Sequence, residues 1–139
     1  MNNRYIFRGK REDNGEWAEG DLMQWNDGTI RICVENGNDE KTATTVIPET
    51  VGQCTGLTDK NGKLIFEGDI VEYLDSYSDF NSEHTEFINR GKVAYGDGAC
   101  FIANRSSVEM SDLVYKNEFD GIVIGNIYDN PELLEAQNG

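Results

Sequence analysis

The sequence predicts a mainly β protein of antiparallel hairpins with one or two short helices. Three observations carry this. Asn14-Gly15, Asp27-Gly28, Asn36-Gly37, Asn61-Gly62 and Asp97-Gly98 each sit between strand-like runs, and such pairs supply the positive φ that tight hairpin turns need. Ile30, Ile32 and Val34 alternate with Thr29, Arg31, Cys33 and Glu35, the two-residue period of a half-buried strand. Helical periodicity is scarce.

Taken in order, the first strand signal is W-A-E-G-D-L-M-Q-W from Trp17, echoed by I-F-E-G-D-I-V-E-Y from Ile65. Asn14-Gly15 and Asn61-Gly62 precede the two copies at similar spacing. The matching flanks suggest a duplicated turn-and-strand unit. Gly20 and Gly68 would take positive φ, and Asp21 and Asp69 would accept hydrogen bonds from nearby backbone N–H groups.

Between Glu72 and Glu86 the signals conflict. Tyr73, Tyr77, Phe80, His84 and Phe87 recur at spacings of four and three, as on a helix face. Asp75-Ser76-Tyr77-Ser78-Asp79 and Asn81-Ser82, however, are poor helix formers, and Tyr, Phe and Val favour strands. The segment reads as a protruding hairpin with its tip near Phe80 to Thr85. Those five residues are the candidate interaction surface, since aromatic residues are enriched at interfaces; the alternative is that they pack onto their own sheet.

Lys92 to Tyr95, a turn at Gly96-Asp97-Gly98 and Ala99 to Ala103 read as strand, turn and strand. Ser106-Ser107-Val108-Glu109 has the form of a capping box opening a helix to about Tyr115. Ile122 to Ile124 and Ile127-Tyr128 suggest a late strand interrupted by a bulge at Gly125-Asn126. Asn130-Pro131-Glu132 places a cap, a first-turn proline and an acid in helical order. Leu133 and Leu134 would dock that short helix onto the sheet.

A chain of 139 residues fits one domain with a core that needs no metal or disulfide. Cys33, Cys54 and Cys100 are odd in number and have no C-x-x-C spacing, so they read as buried thiols in a reducing cytoplasm. A nucleophilic cysteine paired with His84 is the sharper alternative. With a single histidine, no zinc site and no other metal or cofactor site is expected. No apolar run has the length of a membrane helix, and the N-terminus lacks the apolar core of a signal peptide.

The net charge is −14, unevenly spread, with 4 basic and 15 acidic residues after position 64. Such a field repels nucleic acid and anionic membranes. Arg4, Arg8, Lys10 and Arg11 form the one basic cluster, expected on a solvated strand face.

G-L-T-D-K-N-G-K-L-I-F-E-G-D-I-V from Gly56, G-K-V-A-Y-G-D-G from Gly91 and V-I-G-N-I-Y-D-N-P-E-L-L from Val123 occur in that order. Together with F-R-G-K-R, N-G-E-W and G-D-L near the start, they resemble the YopX family of small phage and prophage proteins. The resemblance spans nearly the whole chain apart from the Tyr73 to Phe87 segment and the last few residues. It implies a single YopX-like domain over residues 1–139, barrel-containing and cytoplasmic, with self-association plausible. Two intertwined β subunits, about 1–50 and 51–135, would follow from the duplicated unit. The family brings no activity or catalytic residue with it.

The leading expectation is a noncatalytic interaction or self-assembling module, with a host or phage protein or a second copy as partner. An alternative is an acidic DNA mimic that inhibits a host nucleic-acid enzyme, motivated by the charge surplus. A third is an enzyme using Glu67 and Asp69, or Glu19 and Asp21, as acid and base. No G-x-S-x-G, Walker loop or H-E-x-x-H occurs, and the expected catalytic set is empty.

Overall fold

A computed structural model describes residues 5–36, 40–78, 83–96, 99–103 and 108–135. The chain divides into two compact units, Met1–Gly56 and Leu57–Gly139.

In the first unit, strands β1 (Phe7–Lys10), β2 (Trp17–Gln24), β3 (Ile30–Asn36) and β4 (Glu40–Thr45) form an antiparallel meander. The turn residues explain the hairpins. Gly15 (φ 73°) and Gly28 (φ 91°) take left-handed backbone, and the side chains of Asn14 and Asp27 accept the N–H of Glu16 and Thr29, each at 2.9 Å. Strand β5 (Gly52–Thr58) begins here, pairing Gly52 and Gln53 with Arg8 and Phe7. Ala18, Ile32 and Val46 form the buried centre, with Phe7, Leu22, Ile30, Val34 and Val51 packed against them. The alternation read at Ile30, Ile32 and Val34 thus marks the core face.

In the second unit, β6 (Leu64–Phe66) pairs β5, whose last residue Thr58 pairs in parallel with Glu118. The main sheet runs β10 (Val108–Glu109), β9 (Ala99–Ala103), β8 (His84–Gly96), β7 (Asp69–Ser78), β13 (Gly121–Asn126). Short strands β11 (Val114–Tyr115) and β12 (Glu118–Phe119) form a hairpin, and helix α1 spans Glu132–Glu135. Ile65, Val71, Tyr73, Val93, Ile102, Met110 and Phe119 make the core. Phe119 meets Tyr73 edge-on at 6.2 Å between centroids, a favoured aromatic geometry.

The fold is therefore mainly β and antiparallel, as the turn signals indicate. Gly37 and Asp97-Gly98 lie outside the described residues, but the registers Asn36↔Glu40 and Gly96↔Ala99 close those hairpins. Among the described residues no sheet closes into a barrel.

Four local expectations differ from the structure. Glu19-Gly20-Asp21 lies inside β2, with Asp21 opposite Cys33. Gly20 is required there by the close approach of the Cys33 carbonyl, which an added Cβ would overlap. Only the second copy turns. Gly68 has φ 92°, and Asp69 accepts the Phe66 N–H at 2.8 Å. The helix expected from Ser106 to Tyr115 is instead β10, a 3-10 turn at Met110–Leu113 and β11. Val108 pairs with Ile102, and Met110 is fully buried, so long-range pairing and burial override the capping pattern; Ser106 and Ser107 lie outside the described residues. The bulge sits between Val123 and Gly125, but Ile127 and Tyr128 belong to a turn. Asn126 accepts the N–H of Tyr128 and Asp129 at 3.0 and 2.9 Å. The fourth difference concerns Tyr73 and is taken up with the candidate surface.

Candidate interaction surface

The β7–β8 hairpin is longer than the sheet that holds it. β13 pairs β7 up to Tyr73, and β9 pairs β8 from Lys92 onward. Residues 74–78 and 84–88 therefore run as a two-stranded ribbon among the described residues, paired to each other from Leu74↔Ile88 to Ser78↔His84. Such ribbons are marginal in water alone. Two cross-strand ties hold this one at its root: Arg90 to Glu72 at 3.0 Å and Asn89 to Asp75 at 2.9 Å. Arg90 also donates to the Leu133 carbonyl at 3.4 Å, which brings α1 against the ribbon's root.

Directly opposite residues of an antiparallel pair share a face. Leu74 and Ile88 stand together on the face of the Glu72–Arg90 pair, 51% and 58% exposed. Phe87 is 39% exposed on the other face, opposite Asp75. Residues 74–88 contain Asp75, Asp79, Glu83 and Glu86 and no Lys or Arg.

Of the five residues singled out by spacing, the structure separates Tyr73 from the rest. Tyr73 is 3% exposed and belongs to the core, because its strand position is the inward one beside Phe119. It cannot contact a partner. Phe87 is exposed. The register sets Tyr77 opposite Thr85 and His84 opposite Ser78; Phe80 lies outside the described residues. Leu74 and Ile88 were missed because their pairing depends on the hairpin's register. The only sequence signal for them is an aliphatic residue at each outward strand position.

The other candidate sites resolve into structure. Asp69 is 1% exposed and serves the Phe66–Asp69 turn. Glu19 and Asp21 point out from a strand whose Gly20 is pressed against β3. Among the described residues no three His, Cys, Asp or Glu side chains gather as metal ligands would. No disulfide joins the cysteines; Cys54 is buried, whereas Cys33 and Cys100 are only half-buried.

The basic cluster is not a solvated face. Arg8 is 6% exposed with its guanidinium 4.7 Å from the Trp17 ring centre, and Lys10 approaches the same ring at 5.7 Å. Arg11 is held by Asp13 at 2.8 Å, which raises the guanidinium's pKa and lowers the carboxyl's, chiefly through that hydrogen bond. Arg4 lies outside the described residues. A half-open groove of about 500 Å³ lies beside this cluster, lined by Arg11, Glu16, Trp17, Ala18, Glu19, Val34, Thr42 and Thr44. Its Trp17 ring is engaged by Arg8 and its Arg11 by Asp13.

The segments that carried the resemblance build the fold. Asp59 in the T-D-K-N-G run is 1% exposed. Its carboxylate accepts the N–H of Asn61 at 2.8 Å, of Lys63 at 3.0 Å and of Val123 at 2.9 Å. At Gly125 a Cβ would lie 2.6 Å from Asn130 Oδ1, so a side chain there would displace the Asn130 amide that accepts the Asn126 N–H.

The chain is similar in structure to protein EF1440 from Enterococcus faecalis, known from its crystal structure. The TM-score is 0.52 at 26% sequence identity, over 92% of this chain and 96% of that one. No curated protein matches the chain. A family model described as YopX protein matches residues 6–135, nearly the full length, and the chain accordingly belongs to the YopX family.

Proposed function

We propose that this protein is a noncatalytic interaction module that works through the exposed end of its β7–β8 ribbon. Membership of a family resembling phage and prophage proteins supports action in the cytoplasm of an infected or lysogenic bacterium, on a host or phage protein or on a second copy. The observation that carries the reading is the Leu74–Ile88 pair, exposed on a ribbon that extends beyond its sheet. Paired apolar side chains at such exposure gain free energy when a partner covers them. The family's motif residues, by contrast, are occupied in turns and core.

Tagged wild-type protein and a Leu74→Lys/Ile88→Lys variant would be compared in capture from bacterial lysate and in light scattering. Loss of the partner or of self-association in the variant, with an unchanged circular dichroism spectrum, is the expected result. Equal capture by both proteins would remove the ribbon from the reading. The −11 charge carried after residue 64 favours a second reading, mimicry of DNA. Displacement of the captured protein by added DNA would select it.

A further inference from the structure

Backbone N–H and C=O groups of an antiparallel strand point alternately toward and away from the neighbouring strand. On the ribbon two hydrogen bonds reveal which residues point away. The Ser76 N–H is taken by the side chain of Asp75, and the Arg90 N–H by that of Asn89, at 2.8 and 2.9 Å. Both donors therefore face the ribbon's outer edges and are closed locally. By alternation, Glu86 and Ile88 present their backbone groups to the outer edge of β8. Among the described residues no strand pairs β8 before Lys92.

We propose that this edge of β8 receives an extended, cationic segment of a partner protein, added as a further antiparallel or parallel strand through Glu86 and Ile88. This rests on the ribbon being the contact surface and names the partner's chemistry. The mode is strand addition, in which backbone bonds give affinity and alternate side chains give specificity. Ile88 offers an apolar contact beside the open donors, and Leu74 across the ribbon widens it.

Charge decides between occupants. A second copy pairing along the same edge of β8 would set Glu83 and Glu86 against the same two acids, with no Lys or Arg between positions 74 and 88 to offset them. Like charges across an interface select against a partner, and opposite charges favour it. A strand with lysine or arginine alternating with aliphatic residues matches both the acids and the apolar contact.

The test uses a seven-residue peptide of alternating lysine and valine, blocked at both ends, and the same peptide N-methylated at every residue, so that neither of its edges keeps a donor. The methylated peptide keeps every charge and side chain but loses backbone donors. Binding is followed on the full chain by calorimetry and by amide exchange. The unmodified peptide should slow exchange of the Glu86 and Ile88 amides about tenfold or more. The methylated one should bind roughly tenfold more weakly or worse, as loss of about two backbone hydrogen bonds requires. An Ile88→Pro variant, which removes the outward N–H at a position where an edge tolerates proline, should lose the same affinity.

If both peptides bind equally and perturb the ribbon, strand addition is overturned while the ribbon remains the contact surface. Binding that perturbs residues away from the ribbon, or no binding, overturns the proposal and leaves the Leu74→Lys/Ile88→Lys capture to judge the ribbon separately. Slow exchange at Glu86 and Ile88 in the free chain, increasing with protein concentration, would make a second copy the occupant and overturn it too.

Discussion

Replacing Asp59 tests whether the carboxylate that ties the β5–β6 turn to β13 carries stability in proportion to its bonds. Asn61 and Lys63, two of its three donors, are exposed residues of the turn, so water can replace much of what they lose in Asp59→Ala. Val123 is half-buried in β13, where its N–H, bonded at 2.9 Å, would be stranded. Hydrogen bonds to charged groups contribute about 1.5–3 kcal/mol each, and an unsatisfied buried donor costs about 1–3. The expected loss is therefore about 2–4 kcal/mol, a large share of the roughly 5–15 kcal/mol typical of a folded protein. Asp59→Asn should lose about 2 kcal/mol: one oxygen still serves Asn61 and Lys63, but an NH₂ group then faces the Val123 N–H. Urea unfolding followed by far-ultraviolet circular dichroism gives the stability, and exchange of the Val123 amide gives the local effect. Trp17 and Trp25, the two tryptophans, lie in the first unit, so their fluorescence is the wrong probe for this change. A loss under about 0.5 kcal/mol with Val123 exchange unaltered would refute the reasoning.

Four further outcomes are expected. Phe119→Ala, at a fully buried position against Tyr73, should cost about 3–5 kcal/mol in the same unfolding measurement. Gly20→Ala should destabilise the first unit by about 1–3 kcal/mol through overlap with the Cys33 carbonyl, read by tryptophan fluorescence; a neutral result would mean that β2 and β3 separate without penalty. The Asp27 carboxyl lies below its ordinary value of 3.8, chiefly because it accepts the Thr29 N–H. Its contribution is complete above that ordinary value and is lost as pH falls through the lower folded value, so the Tm gap between wild type and Asp27→Asn should close on acidification in that range and stay constant above it. Leu74→Lys/Ile88→Lys removes no core packing and should shift stability by no more than about 0.5 kcal/mol; a larger loss in thermal unfolding would mean that the pair is structural.

The hairpins were legible because their chemistry is local. Gly15, Gly28 and Gly62 all take positive φ, and each follows the Asn or Asp that the turn needs. Pro131 likewise marks α1 without help from the rest of the chain. The Glu-Gly-Asp repeat shows where local reading stops: one copy turns at Gly68, and the other runs straight through Gly20 because β3 lies against it. The turn at Lys116 and Asn117, with φ of 52° and 66°, carries no glycine to announce it, and the Asn117 carbonyl is bonded to the Thr58 N–H. At the candidate surface, the spacing of Tyr73, Tyr77, Phe80, His84 and Phe87 matches a helix, but β7 is a strand and turns Tyr73 inward. The Leu74–Ile88 pair depends on how many residues form the tip, which no spacing within either strand reveals.

The bond from Asp59 to Val123 joins residues 64 apart in sequence. At ribosomal rates of about 5–20 residues per second, roughly 3–13 seconds pass between synthesis of the acceptor and of its donor. The first unit ends at Gly56 and holds its own meander, so its strands are all made before that wait begins. The second unit keeps its turn carboxylate waiting until β13 arrives. β8 is itself complete only at Gly96, so over the last stretch before Val123, roughly 1–5 seconds at that rate, β7 stands without its β13 neighbour, and pairing of that edge with another nascent chain competes with completion of its own fold.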